Sequence, residues 1–358
     1  MKIIFSGGGT LGPVTPLLAL REMIQTYDLS ATFLWVGTTR GPERAVVEAA
    51  GIPFVTLSSG KFRRYLSIWN VTDIVRIVIG FFQSFVLLWK YNPDLCISAG
   101  GYISVPLHAA AWLLGIPTWV HQQDVDTGLA NSLMVPFASQ ITTALESQTK
   151  HFPKRKVLWL GNPVRRALFA GDAQRFRARF QIPADEKIVF VTGGGTGSMK
   201  VNQMTTSAVQ HLNGFAHVVH LSGLERPQEL VERAEKFFSY YHTAQFFNAE
   251  EMADAYAAAD IVVSRGGFGT IAELAALKKC AVLIPKPGHQ EDNVKFLFTA
   301  HAAQFVDEQL SDGNFLAKTI RELLEDESGR QKMGGQLHEI LPQADEVKVI
   351  SILKTLVH

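Results

Sequence analysis

The sequence predicts an α/β protein built from two doubly wound, Rossmann-like domains. Three observations carry that prediction. The segment KIIFSGGGTLG at 2–12 nearly recurs as KIVFVTGGGTG at 187–197. Short β-branched or aromatic runs alternate with helix-compatible segments along both halves, the pattern of parallel sheets. A length of 358 residues favours two domains of ordinary size over one.

The elements follow in order. Ile3 to Phe5 reads as a strand broken by glycines, and Val14 to Tyr27 as a helix. Thr32 to Val36 is a strand ending at Gly37, and Glu43 to Ala50 a helix closed by Gly51. Pro53 to Leu57 is a strand, followed by a basic loop and the apolar run Ile77 to Trp89. Leu95 to Ser98, the helix Ser104 to Leu114 and the strand Thr118 to His121 complete the first half. The second half repeats the plan: strands at Val189 to Thr192, Ala216 to Leu221, Ile261 to Ser264 and Ala281 to Ile284. Helices are expected at Asn202 to His211, Pro227 to Phe238, Met252 to Ala259 and Ile271 to Lys278. The crossover is placed at 161–171, giving a first domain over 1–162 and a second over 163–343.

Composition narrows the function. An apolar content of 47% supplies two cores. A net charge of +1 provides no global field for nucleic acid. Two cysteines, Cys96 and Cys280, cannot build a disulfide framework or a four-ligand metal site, which fits a reducing cytoplasm. Met1 leads straight into a strand-like run, so no signal peptide is read. The run Ile77 to Trp89 falls short of the roughly 20 residues that span a bilayer. It reads either as a buried helix or as a helix resting on a lipid surface. Lys61, Arg63, Arg64, Tyr65, Trp69, Arg76 and Lys90 around it suit the second reading.

Five segments are candidates for chemistry. A strand ending in glycines and opening onto a helix offers bare N–H groups and a positive dipole end to an anion. Gly7 to Gly12 has that form, although a plain tight turn explains one copy equally well. Ser264 to Glu273 has it too. There Thr270 and Glu273 form either a capping box or a diphosphate and ribose site, and the readings compete for Glu273. Gly161 to Arg165 is a linker, or else a junction whose arginine neutralises a leaving diphosphate. His121 to Asp124 follows a strand, on the edge where ligands bind. His289 to Asn293 carries side chains suited to sugar hydroxyls. No spacing matches a zinc site or a paired-carboxylate motif.

These segments, with Gly100 to Pro106, Gly193 to Gln203 and Met252 to Ala259, resemble in order the MurG family over nearly the whole chain. These bacterial transferases add N-acetylglucosamine from UDP-GlcNAc to the lipid-linked muramyl-peptide precursor of peptidoglycan. The resemblance implies the GT-B fold, two doubly wound domains with an interdomain cleft, and a C-terminal helix at about 344–358 that returns to the first domain. It implies no cofactor and no metal. UDP would lie on the second domain: Ala249 and Met252 near uracil, Glu273 on the ribose, and Phe268, Gly269, Thr270, Ile271 and Ala272 around the phosphates. Arg165 and Gly195 would line the same side, and Gln290 and Asn293 would reach the sugar. Thr10, Leu11, Gly12 and Asp124 of the first domain would contact the UDP-sugar donor and also hold the acceptor. Gly9, Gly100, Gly101, Tyr102 and Ser104 would face a polyprenyl-pyrophosphate-linked acceptor. Arg63, Arg64, Trp69, Phe81, Phe82 and Phe85 would touch the cytoplasmic face of the inner membrane, with the protein peripheral.

One departure matters. The family motif usually ends in a histidine, proposed as general base, where this chain has Pro13. Proline accepts no proton, and general-base help is commonly worth ~10²–10⁴-fold. Asp124, with His121, is the expected substitute. Three other readings compete: transfer to another polyprenyl or glycolipid acceptor, a UDP-GlcNAc 2-epimerase, and a non-catalytic UDP-sugar-binding homologue.

Overall fold

The computed structural model describes residues 1–60, 69–195 and 197–357, apart from the side chains of 69–72 and 74. The chain forms two units, Met1–Arg165 with Gln343–His358, and Arg166–Pro342.

Unit 1 alternates β1 (Lys2–Ser6), α1 (Val14–Tyr27), β2 (Thr32–Gly37), α2 (Glu43–Ala49), β3 (Phe54–Thr56), α3 (Trp69–Tyr91), β4 (Leu95–Ser98), α4 (Ser104–Leu113), β5 (Thr118–Gln122), α5 (Leu129–Met134), β6 (Gln140–Thr143) and β7 (Val157–Trp159). Its seven strands are parallel, in the order β3-β2-β1-β4-β5-β6-β7. Unit 2 continues with α6 (Ala173–Phe180), β8 (Ile188–Thr192), α7 (Met199–Leu212), β9 (His217–Leu221), α8 (Glu229–Phe237), β10 (Tyr241–Ala244), α9 (Ala249–Ala258), β11 (Ile261–Ser264), α10 (Phe268–Ala276), β12 (Cys280–Leu283), α11 (His289–Thr299), β13 (Gln304–Phe305), α12 (Gly313–Glu325) and α13 (Glu327–Ile340). Its parallel sheet runs β10-β9-β8-β11-β12-β13. The chain then returns to unit 1. Ala344 N donates to Asn162 O, and α14 (Glu346–Val357) buries Val349, Ile352 and Leu353 with Leu17 and Leu20 of α1.

Both sheets reverse strand order beside their first strand, between β1 and β4 and between β8 and β11. That reversal opens a crevice at the carboxyl ends of the strands, where α/β proteins bind ligands. The register brings Ser6 beside Ser98, and Thr192 beside Ser264, one or two positions before the glycines. Residues Ile3 to Ser6 of β1, and all of β4, β8 and β11, are buried. Helices cover both faces of such a sheet, which is why its strands read as unbroken apolar runs.

The apolar run at 77–89 is the centre of a longer helix. α3 has 23 residues, about 34 Å at the usual helical rise. Its inner face (Gly80, Ser84, Leu88) packs against unit 1. A Cβ at Gly80 would stand 2.0 Å from Ser58 O, so only glycine permits this approach. Val75, Val78, Ile79, Phe82, Phe85, Val86 and Trp89 form an exposed stripe at helical spacing, so the helix is not buried all round. Phe81 is turned away from the stripe and packs half-buried on the core; Phe82 and Phe85 point outward. Arg63 and Arg64 lie outside the described residues, as do Lys61, Tyr65 and the side chain of Trp69. No described helix is long and apolar enough to cross a membrane.

Candidate functional site

In unit 1 the loops after β1 and β4 meet backbone to backbone. A Cβ at Gly101 would lie 2.9 Å from Gly8 N, and one at Gly7 would lie 3.2 Å from Gly100 O. Gly100 and Gly101 hold φ of 114° and 102°, values that favour glycine. Three donors of these loops are spent on the protein itself. Gly9 N donates to Glu43 Oε2 at 3.2 Å, Gly7 N to Val36 O at 3.2 Å, and Gly100 N to Ser98 Oγ at 3.0 Å. The first glycine loop is therefore not the open anion cradle its sequence implied, because a buried carboxyl group already takes the Gly9 N–H. Thr10 and Gly12 are exposed, and Gly9 and Tyr102 half-exposed. Leu11 packs against the unit 1 core, and Ser104, fully buried, donates its hydroxyl to Gly100 O at 3.3 Å. Both side chains are turned from the surface on which sequence reading placed them.

His121 is corrected as well. It is 0% exposed, with Nδ1 2.9 Å from Thr142 Oγ1 and Nε2 3.2 Å from Asn162 Oδ1. Burial pushes its pKa down to about 4. A ring with both nitrogens engaged inside the sheet cannot receive a substrate proton. Asp124 remains at the surface, half-buried. Its segment is held from within: Gln122 Nε2 donates to Asp124 O at 2.8 Å and Asp126 O at 3.0 Å. Gln123 Nε2 donates to Gly12 O at 3.3 Å, tying this segment to the first glycine loop. Arg165, half-buried, ends unit 1.

In unit 2 the loop after β8 is also closed on itself. Gly194 N donates to Thr192 Oγ1 at 3.2 Å, and Gly197 N to Gly194 O at 2.9 Å. Ser198 caps α7 through Val201 N, while Gly195 is exposed. Three helices of unit 2, α8, α10 and α11, start without a side-chain cap, and α10 is the one that follows the switch-point strand β11. Gly267 is its N-cap and no side chain caps it. The Thr270–Glu273 capping box does not form, because the helix begins two residues before Thr270. A capping box forms instead at α9, between Asn248 and Glu251. The leading N–H groups of α10, at Phe268, Gly269 and Thr270, have no intrahelical acceptor, and the dipole places positive charge there. Phe268, Ile271 and Ala272 bury their side chains, which leaves backbone as their route to a ligand.

Three neighbours shape that start. Glu273 is 6% exposed and accepts from the Tyr256 hydroxyl of α9 at 3.1 Å. Gln290 at the head of α11 accepts from Lys286 N through Oε1, and its Nε2 lies 4.0 Å from the ideal Cβ position of Gly267. Arg265 is 7% exposed; it donates to Ser198 Oγ at 2.9 Å and Ile284 O at 2.9 Å, and pairs with Glu308 at 2.5 Å. One guanidinium thus ties together the ends of three adjacent connections. Ala249 is exposed and Met252 half-buried on α9. Asn293 is 1% exposed. Among the described residues no cluster of three acidic, histidine or cysteine side chains could hold a metal ion.

Sequence reading missed Glu43, Tyr256 and the clamp made by Arg265. Glu43 had a weak signal, an acid at a helix start between Gly37, Gly41 and the next apolar turn. Tyr256 carried none, since its partner stands 17 residues away on another helix.

Comparison with known proteins agrees with this architecture. Residues 3–143 match the glycosyltransferase family 28 N-terminal domain, and residues 188–347 its C-terminal domain. A Bacillus cereus UDP-N-acetylglucosamine–N-acetylmuramyl-(pentapeptide) pyrophosphoryl-undecaprenol N-acetylglucosamine transferase is 35% identical over 288 residues, 79% of each chain. A Legionella pneumophila transferase of the same name is 29% identical, covering 100% of this chain and 97% of that protein. The crystal structure of Acinetobacter baumannii MurG superposes with a TM-score of 0.74 at 22% identity, covering 99% of each chain. On its two matched domains and its transferase relatives, the chain belongs to glycosyltransferase family 28, among the MurG proteins, with the GT-B fold.

Proposed function

We propose that this protein transfers N-acetylglucosamine from UDP-GlcNAc to a lipid-linked N-acetylmuramyl-peptide with inversion at the anomeric carbon. The carrying observation is the uncapped start of α10, flanked by Glu273 and Gln290, in a chain whose relatives bear that transferase name. Unit 2 holds the donor. The helix start neutralises the diphosphate without a cation, Glu273 accepts from the ribose hydroxyls, and Gln290 donates to the phosphate or sugar. Arg165 adds a guanidinium for the leaving UDP.

Unit 1 holds the acceptor near Thr10 to Gly12, Gly101 and Tyr102. The acceptor hydroxyl attacks the anomeric carbon, the bond to the UDP oxygen breaks, and the hydroxyl proton passes to Asp124. The support for Asp124 is its half-exposed position, its backbone anchoring by Gln122, and the link from Gln123 to Gly12. Pro13, at the N-cap of α1, has no group that could do this.

The outward stripe of α3, widened by exposed Trp112 and Leu113 of the adjacent α4, is the surface we assign to the lipid headgroup boundary. Its use would keep the protein peripheral on the cytoplasmic face. Phe82→Asp with Trp89→Asp is expected to abolish sedimentation with anionic vesicles while UDP still binds. Equal sedimentation of variant and parent would remove the assignment.

The deciding experiment supplies sugar-labelled UDP-GlcNAc and a bacterial lipid extract. Label in a disaccharide-linked lipid supports the transferase. Free N-acetylmannosamine would indicate an epimerase, and saturable UDP-sugar binding with neither product a non-catalytic homologue.

A further inference from the structure

The loop between β1 and α1 is held by a group that no sequence motif announces. Glu43 opens α2 and is 0% exposed. Its Oε1 accepts from Thr38 N at 2.7 Å and from Thr38 Oγ1 at 2.5 Å; its Oε2 accepts from Gly9 N at 3.2 Å. Glycines make room for it. A Cβ would stand 2.3 Å from Oε1 at Gly8 and 1.8 Å from Oε2 at Gly41. The Tyr102 ring closes over Gly9, where a Cβ would come within 2.9 Å of it, and the Tyr102 hydroxyl bonds to Thr38. At the far end of the loop, Gln123 holds Gly12 O. On the inner side, Trp35 Nε1 donates to Gly7 O at 3.0 Å.

A glycine loop at a strand-to-helix switch ordinarily offers its N–H groups to an outside anion. Here an internal carboxyl group has taken that place at Gly9. We propose that Glu43 is a positioning residue: it acts as the loop's built-in acceptor, fixes the course of Gly9 to Gly12, and denies the Gly9 N–H to a ligand phosphate. The effect on turnover rests on the transferase reading above. The effect on the loop does not. Recognition of the acceptor by this loop then falls to its shape and to donors other than the Gly9 N–H.

The two carboxyl oxygens serve different partners, which makes Glu43→Gln a selective probe. The amide oxygen can keep both Thr38 bonds, and its NH2 must then face the Gly9 N–H, donor against donor. α2 stays anchored while the loop is released. Val47→Ala, in the core on the same helix and 0% exposed, is the control for lost stability. Two readouts are compared. Steady-state transfer at saturating donor and acceptor is expected to fall by at least ~10-fold in Glu43→Gln, with UDP affinity unchanged, because a displaced loop spoils alignment. Amide hydrogen exchange in the peptide 7–13 is expected to accelerate. Val47→Ala should leave both near the parent values even where its melting temperature drops as far. The proposal is overturned if the two variants behave alike, or if exchange at 7–13 is unchanged in Glu43→Gln. Should the parent protein transfer no sugar, the transferase reading fails, and the exchange comparison still decides whether Glu43 clamps the loop.

Discussion

The two glycine loops share a sequence but not an environment. In unit 1 the Gly9 N–H ends on Glu43, a buried acid from the next helix that also accepts from Thr38. In unit 2 the corresponding loop is closed by its own Thr192 and Gly194, and Ser198 at its end is gripped by Arg265. The element of unit 2 proposed to receive the anion is a different one, the start of α10, which no side chain caps. A repeated motif thus marks a repeated backbone turn. What the turn binds is set by side chains that arrive from elsewhere in the sheet.

That contrast can be broken at several points. The largest effect is expected from the division of labour itself. Asp124→Asn should reduce turnover by ~10²–10⁴-fold with UDP affinity unchanged, since the proposed base belongs to unit 1 and the proposed donor site to unit 2. Parallel titration calorimetry and transfer assays check this, and retained turnover would remove Asp124 from the mechanism.

Next comes the ion pair that orders unit 2. Arg265 and Glu308 are 9% and 17% exposed at their side chains. Arg265→Met leaves Glu308 without its partner and Ile284 O and Ser198 Oγ without their donor. It should cost about 3 kcal/mol of unit 2 stability by chemical denaturation, and the double variant with Glu308→Met should recover part of that.

Buried histidines distinguish the units on a smaller scale. His220 in unit 2 has two partners, Tyr241 and Asn202. His108 in unit 1 is 0% exposed and neither ring nitrogen finds one. Burial pushes both pKa values down to about 3. Each ring is neutral in the fold, and the unfolded chain takes up its proton near pH 6.5, so stability is lost as pH falls from about 6.5 towards 3. His108→Leu should stabilise unit 1 by ~1 kcal/mol at pH 7 and by more at pH 5, whereas His220→Leu should destabilise unit 2. All six tryptophans lie in unit 1, so their fluorescence follows that unit alone.

The smallest effect belongs to the donor site. Tyr256→Phe removes one hydrogen bond to Glu273 and should weaken UDP binding about fivefold, the equivalent of ~1 kcal/mol. An unchanged affinity would mean that the Glu273 carboxyl group is oriented by other contacts.

Periodicity and punctuation made most of the fold legible. α1, β11 and the strands on either side of each switch point stand where apolar runs ending in Gly or Ser placed them. The strands that escaped are short, and two of them are polar. β6 reads QITT and β10 reads YHTA, and neither contains a run that alternation or hydrophobicity would single out. α9 began a turn earlier than its apolar pattern, because Asn248 and Glu251 cap it. At the site, the glycines, Gln290 and the α10 start were legible as motif. The inward turn of His121 and Ser104 was not, since strand-end and helix-start positions look alike from either face.

The chain by itself determined the two α/β halves, the glycine turns at their switch points and the apolar stripe on α3. Those follow from local preferences, β-branched runs, glycine's access to positive φ and a 3.6-residue period, which neighbouring residues suffice to express. Only the tertiary structure decided that Glu43 fills one loop, that Arg265 braces the other and that Tyr256 meets Glu273. Such contacts join residues 17 to 67 positions apart. Their geometry depends on how helices seat on the finished sheets, and no local pattern encodes that.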